Sequence, residues 1–117
     1  MKREFIYLPN FIRSWNDAGL SDEALILLEN TILQKPDAGD MIQGAGGLRK
    51  VRFALVDSGK SGGIRVLYVD FEYYEKTYLL FAYRKSSQVN ITDKQKLMFK
   101  QMIGLLLDEL ANQKGAN

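Results

Sequence analysis

Hydrophobic and polar positions along the chain change period from stretch to stretch, and each period predicts an element. Glu4–Leu8 is short, rich in β-formers and halted by Pro9, which predicts a first strand. Phe11, Ile12 and Trp15 then recur at helical spacing as far as Gly19. Ser21 stands where an N-cap is needed, and Asp22 and Glu23 occupy the first turn, where the helix dipole favours acids. Leu25, Leu28 and Ile32 share one face of this second helix until Pro36.

Asp37–Gly47 holds several glycines and few large apolar groups, so a loop is expected. Leu48–Leu55 alternates, with Arg49, Val51, Phe53 and Leu55 on one side and Lys50, Arg52 and Ala54 on the other, the period of a half-exposed strand. Asp57–Gly63 is a polar, glycine-rich turn, and Ile64–Phe71 and Thr77–Tyr83 are two further strands separated by the charged linker Glu72–Lys76. Thr92 and Gln95 have the spacing of a capping box. Met98, Met102, Ile103, Leu106 and Leu110 then repeat with the period of a last helix, of about four turns.

The order β-α-α-β-β-β-α predicts an α+β fold: a four-stranded, mainly antiparallel sheet with two N-terminal helices on one side and a C-terminal helix packed on the sheet. Part of the face opposite the first two helices is expected to be free. With 117 residues, one domain over 1–117 is expected, with a single modest core.

Composition narrows the chemistry. There is no cysteine, hence no disulfide, thiolate nucleophile or thiolate metal site, and no histidine, the usual general base and the commonest transition-metal ligand. No metal or cofactor is expected. The Met1–Phe11 start has charges in place of a leader's apolar run, and nothing approaches a membrane span, so a cytoplasmic protein with no membrane role is expected.

Net charge is only +2, but its distribution is uneven. Between Gly44 and Tyr68 stand Arg49, Lys50, Arg52, Lys60 and Arg65 against the lone acid Asp57. Gly59-Lys60-Ser61 resembles the end of a phosphate-binding loop, but the pattern needs a glycine where Ala54 stands and a helix where a strand follows, which argues against a nucleotide triphosphate site.

Lys50 and Arg52 share a strand face, and the glycine-rich turn returns the next strand so that Arg65 arrives beside them. Two readings follow: a cradle for phosphates, or a solvated sheet face guarded by charge against aggregation. Phe71, Tyr73, Tyr74, Tyr78, Phe81 and Tyr83 divide in the same way between base-stacking and core, with half or more expected in the core. Tyr83, beside Arg84 and Lys85 where the last strand runs out, is best placed to meet a ligand. Met98, Met102 and Leu105–Leu107 are expected in the core, with an outward part that can seat a partner helix.

RNA is cut without histidine or metal when its own 2′-hydroxyl attacks the adjacent phosphorus. An enzyme for this step must orient the attack, take one proton and stabilise added negative charge. Lys50 and Arg52 are candidates to handle the 2′-hydroxyl proton and hold the backbone. Arg65 with Arg84 or Lys85 is expected to stabilise the pentacovalent transition state, and Arg49, Lys60 and Tyr83 to bind substrate.

Gly46-Gly47-Leu48-Arg49-Lys50-Val51-Arg52-Phe53, followed by Gly59-Lys60-Ser61-Gly62-Gly63-Ile64-Arg65-Val66-Leu67-Tyr68, resembles the central hairpin of the HigB branch of RelE-like toxins. Leu80-Phe81-Ala82-Tyr83-Arg84-Lys85, a polar stretch and Leu97–Leu110 are similar to that family's last strand and C-terminal helix. The resemblance implies a microbial-RNase-like fold and ribosome-dependent cleavage of mRNA in the 30S A site, with inhibition of translation. It also implies neutralisation by a cognate antitoxin, often a helix-turn-helix protein of the HigA kind, with operator DNA bound only by the toxin–antitoxin complex. In that family the positions matching Lys50, Arg52, Arg65 and the Arg84-Lys85 pair serve catalysis or substrate binding. Two alternatives remain open: a toxin of the related ParE kind, which shares the fold but binds DNA gyrase, and an inactive antitoxin-binding module.

Overall fold

The Leu8–Asp17 segment shows how the expected elements form. Pro9 occupies the first helical turn, where its missing N–H costs nothing, and α1 runs Pro9–Asp17 with Phe11, Ser14 and Trp15 buried. Ile12 stays half exposed. Ser21 caps α2 (Asp22–Gln34), its hydroxyl accepting from the Ala24 N–H at 3.1 Å. The structure is a computed structural model, which describes residues 2–53, 63–86 and 90–115.

The strands are β1 (Glu4–Tyr7), β2 (Asp40–Met41), β3 (Arg49–Phe53), β4 (Ile64–Phe71) and β5 (Lys76–Arg84), and α3 is Asp93–Gly115. They form one five-stranded sheet in the order β1-β5-β4-β3-β2. Two expectations are corrected here. The sheet has a fifth strand, because Asp40 and Met41 pair with Lys50 and Arg49 inside the segment read as a loop. It is also mixed, because β1 lies parallel to β5 while the other pairings are antiparallel.

Helices cover both faces. Phe11, Trp15, Leu28 and Ile32 of α1 and α2 pack on Val51, Phe53, Ile64, Val66, Tyr68, Leu79 and Ala82. On the other face, Phe99, Ile103 and Leu110 of α3 pack on Leu48, Leu67, Val69, Tyr78, Leu80 and Tyr83. The face opposite α1 and α2 is therefore covered where α3 lies. This explains the nearly unbroken apolar runs of β4 and β5, since a strand buried on both faces has no polar side to alternate with.

α3 is longer than the four turns expected, and its Thr92–Gln95 capping box forms, with bonds of 2.8 and 3.1 Å in the two directions. Met98, Leu105 and Leu107, expected in the core, are exposed, and the stripe that packs is Phe99, Ile103 and Leu110. The linker after β4 makes one 3₁₀ turn, Glu72–Tyr74, closed by Glu75 at φ 54°. Among the described residues no helix is long and apolar enough to cross a membrane.

Candidate functional site

Residues directly opposite each other in an antiparallel pair project to the same face, so strand register decides which side chains meet. Arg52 pairs with Arg65, and Arg65 pairs with Tyr83, which places the three in one row across β3, β4 and β5. The next row on that face is Lys50, Leu67 and Phe81. Leu67 and Tyr83 belong to the core under α3, so the row Arg52–Arg65–Tyr83 lies on the α3 side of the sheet.

Arg84 does not join it. Leu67 pairs with Phe81 and Tyr68 with Leu79, so Leu80 is an extra residue and β5 bulges there. A one-residue insertion exchanges the faces of everything beyond it. Tyr83 is thereby turned toward α3 and Arg84 toward α1, where its Nη2 donates to the Ala18 carbonyl at 2.7 Å. Lys85 follows, exposed, with its N–H donating to the Gly63 carbonyl at 3.0 Å so that the pairing continues one step past the strand. Arg49 also faces away from the row: it pairs with Tyr68, and its Nη1 donates to the carbonyls of Gly39 (2.8 Å) and Asp37 (3.3 Å). The Tyr68 hydroxyl ties the same loop, donating to the Pro36 carbonyl and accepting from the Gly39 N–H. Lys60 and the Asp57–Gly62 part of the turn lie outside the described residues.

Within the row, two polar atoms are buried and unpartnered: Arg65 Nη1 and the Tyr83 hydroxyl. They sit on directly paired residues. Burial pushes the Tyr83 phenol above its ordinary pKa, and the Arg65 charge pulls the other way. The phenol therefore stays protonated at neutral pH. Its ring is backed by Phe81 (centroids 6.2 Å apart), which in turn meets Phe99 of α3 at 6.5 Å. Gly63 leaves room for the arginine, because a Cβ built there lies 3.0 Å from Arg65 Nη1.

Among the described residues the ion pairs are Arg3–Asp70, Lys76–Glu4 and Lys96–Asp93, and none engages Lys50, Arg52 or Arg65. Among the described residues, the row thus gathers positive charge that no ion pair neutralises, which suits an anion. Of the other aromatics, Tyr78 is buried against Phe71 in an edge-to-face contact, while Tyr73 is 72% exposed beside Tyr74.

One neighbour of the row went unread in the sequence. Lys96, in the first turn of α3, lines a groove together with Lys50 and Asp40. A signal exists: Lys94 and Lys96 put cations at a helix N-terminus, where the dipole disfavours them.

A cationic row on one face of a small α+β sheet is the setting in which the comparisons with known proteins take on meaning. The family model for the RelE toxin of the RelE/RelB toxin–antitoxin system matches residues 7–114, so the chain belongs to the RelE toxin family. It is a toxin of the toxin–antitoxin kind. Among solved structures, a mutant of the E. coli toxin RelE in the free state is similar, with a TM-score of 0.52 and 15% identity over 75% of this chain and 88% of that one. At that identity the likeness shows the fold, an α+β fold resembling RelE.

Proposed function

We propose that the protein is a ribosome-dependent, metal-independent endoribonuclease that cuts mRNA and so arrests translation. The reading is carried by the paired, buried and unpartnered Arg65 Nη1 and Tyr83 hydroxyl. Each unsatisfied buried group costs a folded protein about 1–3 kcal/mol. Two side by side, in line with Arg52 and next to Lys50, suit a ligand whose oxygens accept from both, as a phosphoryl group does.

In the reaction, O2′ attacks the adjacent phosphorus, the bond from phosphorus to O5′ breaks, and O5′ takes up a proton. The products are a 2′,3′-cyclic phosphate and a 5′-hydroxyl. Lys50 and Arg52 hold the backbone and handle the proton at O2′. Arg65 and the protonated Tyr83 hydroxyl donate to the oxygens that gain charge. Lys85, just beyond β5, and Lys60 bind flanking phosphates. Arg84, turned to the other face, serves by fixing α1 against β5. Proton handling of this kind contributes on the order of 10²–10⁴ in rate, and the remainder comes from orientation of the message by the ribosome. A cognate antitoxin of helix-turn-helix type silences the toxin, and operator DNA is bound only by that complex.

Induced expression tests the reading. Rapid arrest of protein synthesis with messages cut inside codons, abolished by Arg65→Ala and Lys50→Ala in well-folded protein, supports it. Intact mRNA with a DNA-damage response overturns it in favour of gyrase binding, and healthy growth overturns it in favour of an inactive module.

A further inference from the structure

β2 has only two residues, Asp40 and Met41, and both are exposed, so side-chain packing does little to hold it on β3. A pairing this short is marginal by itself. It nevertheless carries Lys50. The Ile42 N–H donates to the Leu48 carbonyl at 2.8 Å, and hydrogen-bonded pairs alternate along an antiparallel ladder, so Asp40 and Lys50 form the next such pair. The backbone N–H and C=O of Lys50 are thereby turned to β2 and away from β4, while its side chain stands beside the row Arg52–Arg65–Tyr83.

Two side chains on the opposite face of the sheet secure the segment that leads into β2. The hydroxyl of Tyr68, a fully buried residue of β4, donates to the Pro36 carbonyl at 2.7 Å and accepts from the Gly39 N–H at 3.1 Å. Arg49, its cross-strand partner, uses the two hydrogens of Nη1 for the carbonyls of Gly39 (2.8 Å) and Asp37 (3.3 Å). Gly39 is buried, and a Cβ built on it would lie 3.0 Å from both the Lys50 carbonyl oxygen and the Tyr68 ring. The clamped segment therefore presses directly on the backbone of Lys50.

We propose that Arg49 and Tyr68 are positioning residues for message cleavage. From the back of the sheet they hold residues 36–39 so that β2 pairs with β3 and fixes Lys50 where it meets the RNA. The proposal rests on the nuclease reading and deepens it, because it gives a task to Arg49, a cation that the cationic face does not include. A lysine on a flexible stem takes its direction from the backbone that carries it. A shift of about 1 Å in such a group costs up to ~100-fold in rate.

The test compares full-length Tyr68→Phe and Arg49→Ala with the parent on programmed ribosomes, over a range of protein concentrations. Each variant should cut on the order of 10-fold more slowly at saturation, with a half-saturating concentration within about twofold of the parent's. The salt dependence of that concentration should stay as it is, since neither side chain meets a phosphate. Hydrogen exchange reads the same clamp without activity: the Lys50 amide should lose protection, while the Val66 amide, paired with Val51, keeps its own. Cutting at the parent's rate overturns the proposal. So does a raised half-saturating concentration with a flatter salt dependence in Arg49→Ala, which would make Arg49 a substrate ligand. Equal loss of protection at Lys50 and Val66, with slowing that vanishes once rates are referred to the folded fraction, would leave the two residues a role in stability alone. The nuclease reading survives each of these results, whereas a parent that cuts no message removes both.

Discussion

Arg65 and Tyr83 are direct partners in the antiparallel pairing of β4 and β5, and each carries a buried polar atom with no partner of its own. A polar group kept dry and unbonded lowers stability, so the pair is a place where stability and function pull apart.

Tyr83→Phe separates them. Removing an unpartnered hydroxyl should leave the free protein as stable as before, or up to about 1 kcal/mol more so. Losing one donor to a developing oxyanion should slow cleavage on the order of 10²-fold. Urea unfolding and message cleavage on one preparation check both. A variant that loses stability and activity together sinks the assignment.

The bulge at Leu80 predicts that neighbouring arginines respond differently. Arg65→Ala should abolish cleavage in protein that remains folded. Arg84→Ala removes the bond to the Ala18 carbonyl at the end of α1. It should lower stability by about 1 kcal/mol, the scale of one partly exposed hydrogen bond, and leave cleavage by the folded fraction within about threefold of the parent. If Arg84→Ala matches Arg65→Ala in activity with an unchanged melting temperature, Arg84 touches substrate after all.

That contrast marks how far the sequence was legible. Alternation over Arg49–Phe53 correctly put Lys50 and Arg52 on the face opposite Val51 and Phe53, because that strand carries a polar side to read. The capping signals at Ser21 and at Thr92–Gln95 were equally readable, since each is a local hydrogen bond between near neighbours. In β5 the signal fails. Tyr78 to Tyr83 is almost entirely apolar, as double-sided burial requires, and such a run hides an inserted residue that reverses the faces beyond it. Counting alternate positions onward from Tyr78 would send Arg84 toward α3 and Tyr83 away from it, the reverse of what the bulge produces. β2 was invisible for another reason: two polar-flanked residues carry no period, and only their pairing with Arg49 and Lys50 makes them a strand.

Ser14 is the hinge between α1 and the sheet. β1 pairs with β5 only as far as Leu79, which leaves the Ala82 N–H on an open edge, and Ser14 Oγ accepts from it at 2.9 Å while donating to the Phe11 carbonyl. Both bonds are buried. Ser14→Ala should therefore cost about 1–3 kcal/mol, because an amide is left dry without an acceptor. Denaturant unfolding gives the size, and hydrogen exchange gives the place: the Ala82 amide should lose protection more than amides in β3. Uniform loss of protection would mean the bond is incidental.

High pH offers a check on the buried phenols. Tyr68, Tyr78 and Tyr83 all have their pKa pushed above the ordinary value, with burial the leading cause at each. An unfolded tyrosine loses its proton near pH ~10, whereas these hold theirs while folded, so the unfolded chain binds fewer protons above that pH. Stability from these groups is complete below the unfolded value and falls as pH rises through the folded one. Lys76, raised chiefly by the hydrogen bond it donates to Glu4, acts in the same direction. The phenol share is isolated by comparing the parent with a Tyr78→Phe, Tyr83→Phe double variant, leaving Tyr68 because its hydroxyl holds Pro36 and Gly39. The parent's urea midpoint should drop between pH ~9 and ~11, and the double variant's should drop less. Equal slopes would show that both hydroxyls reach water in the folded protein, and the dry Arg65–Tyr83 pair would be lost with them.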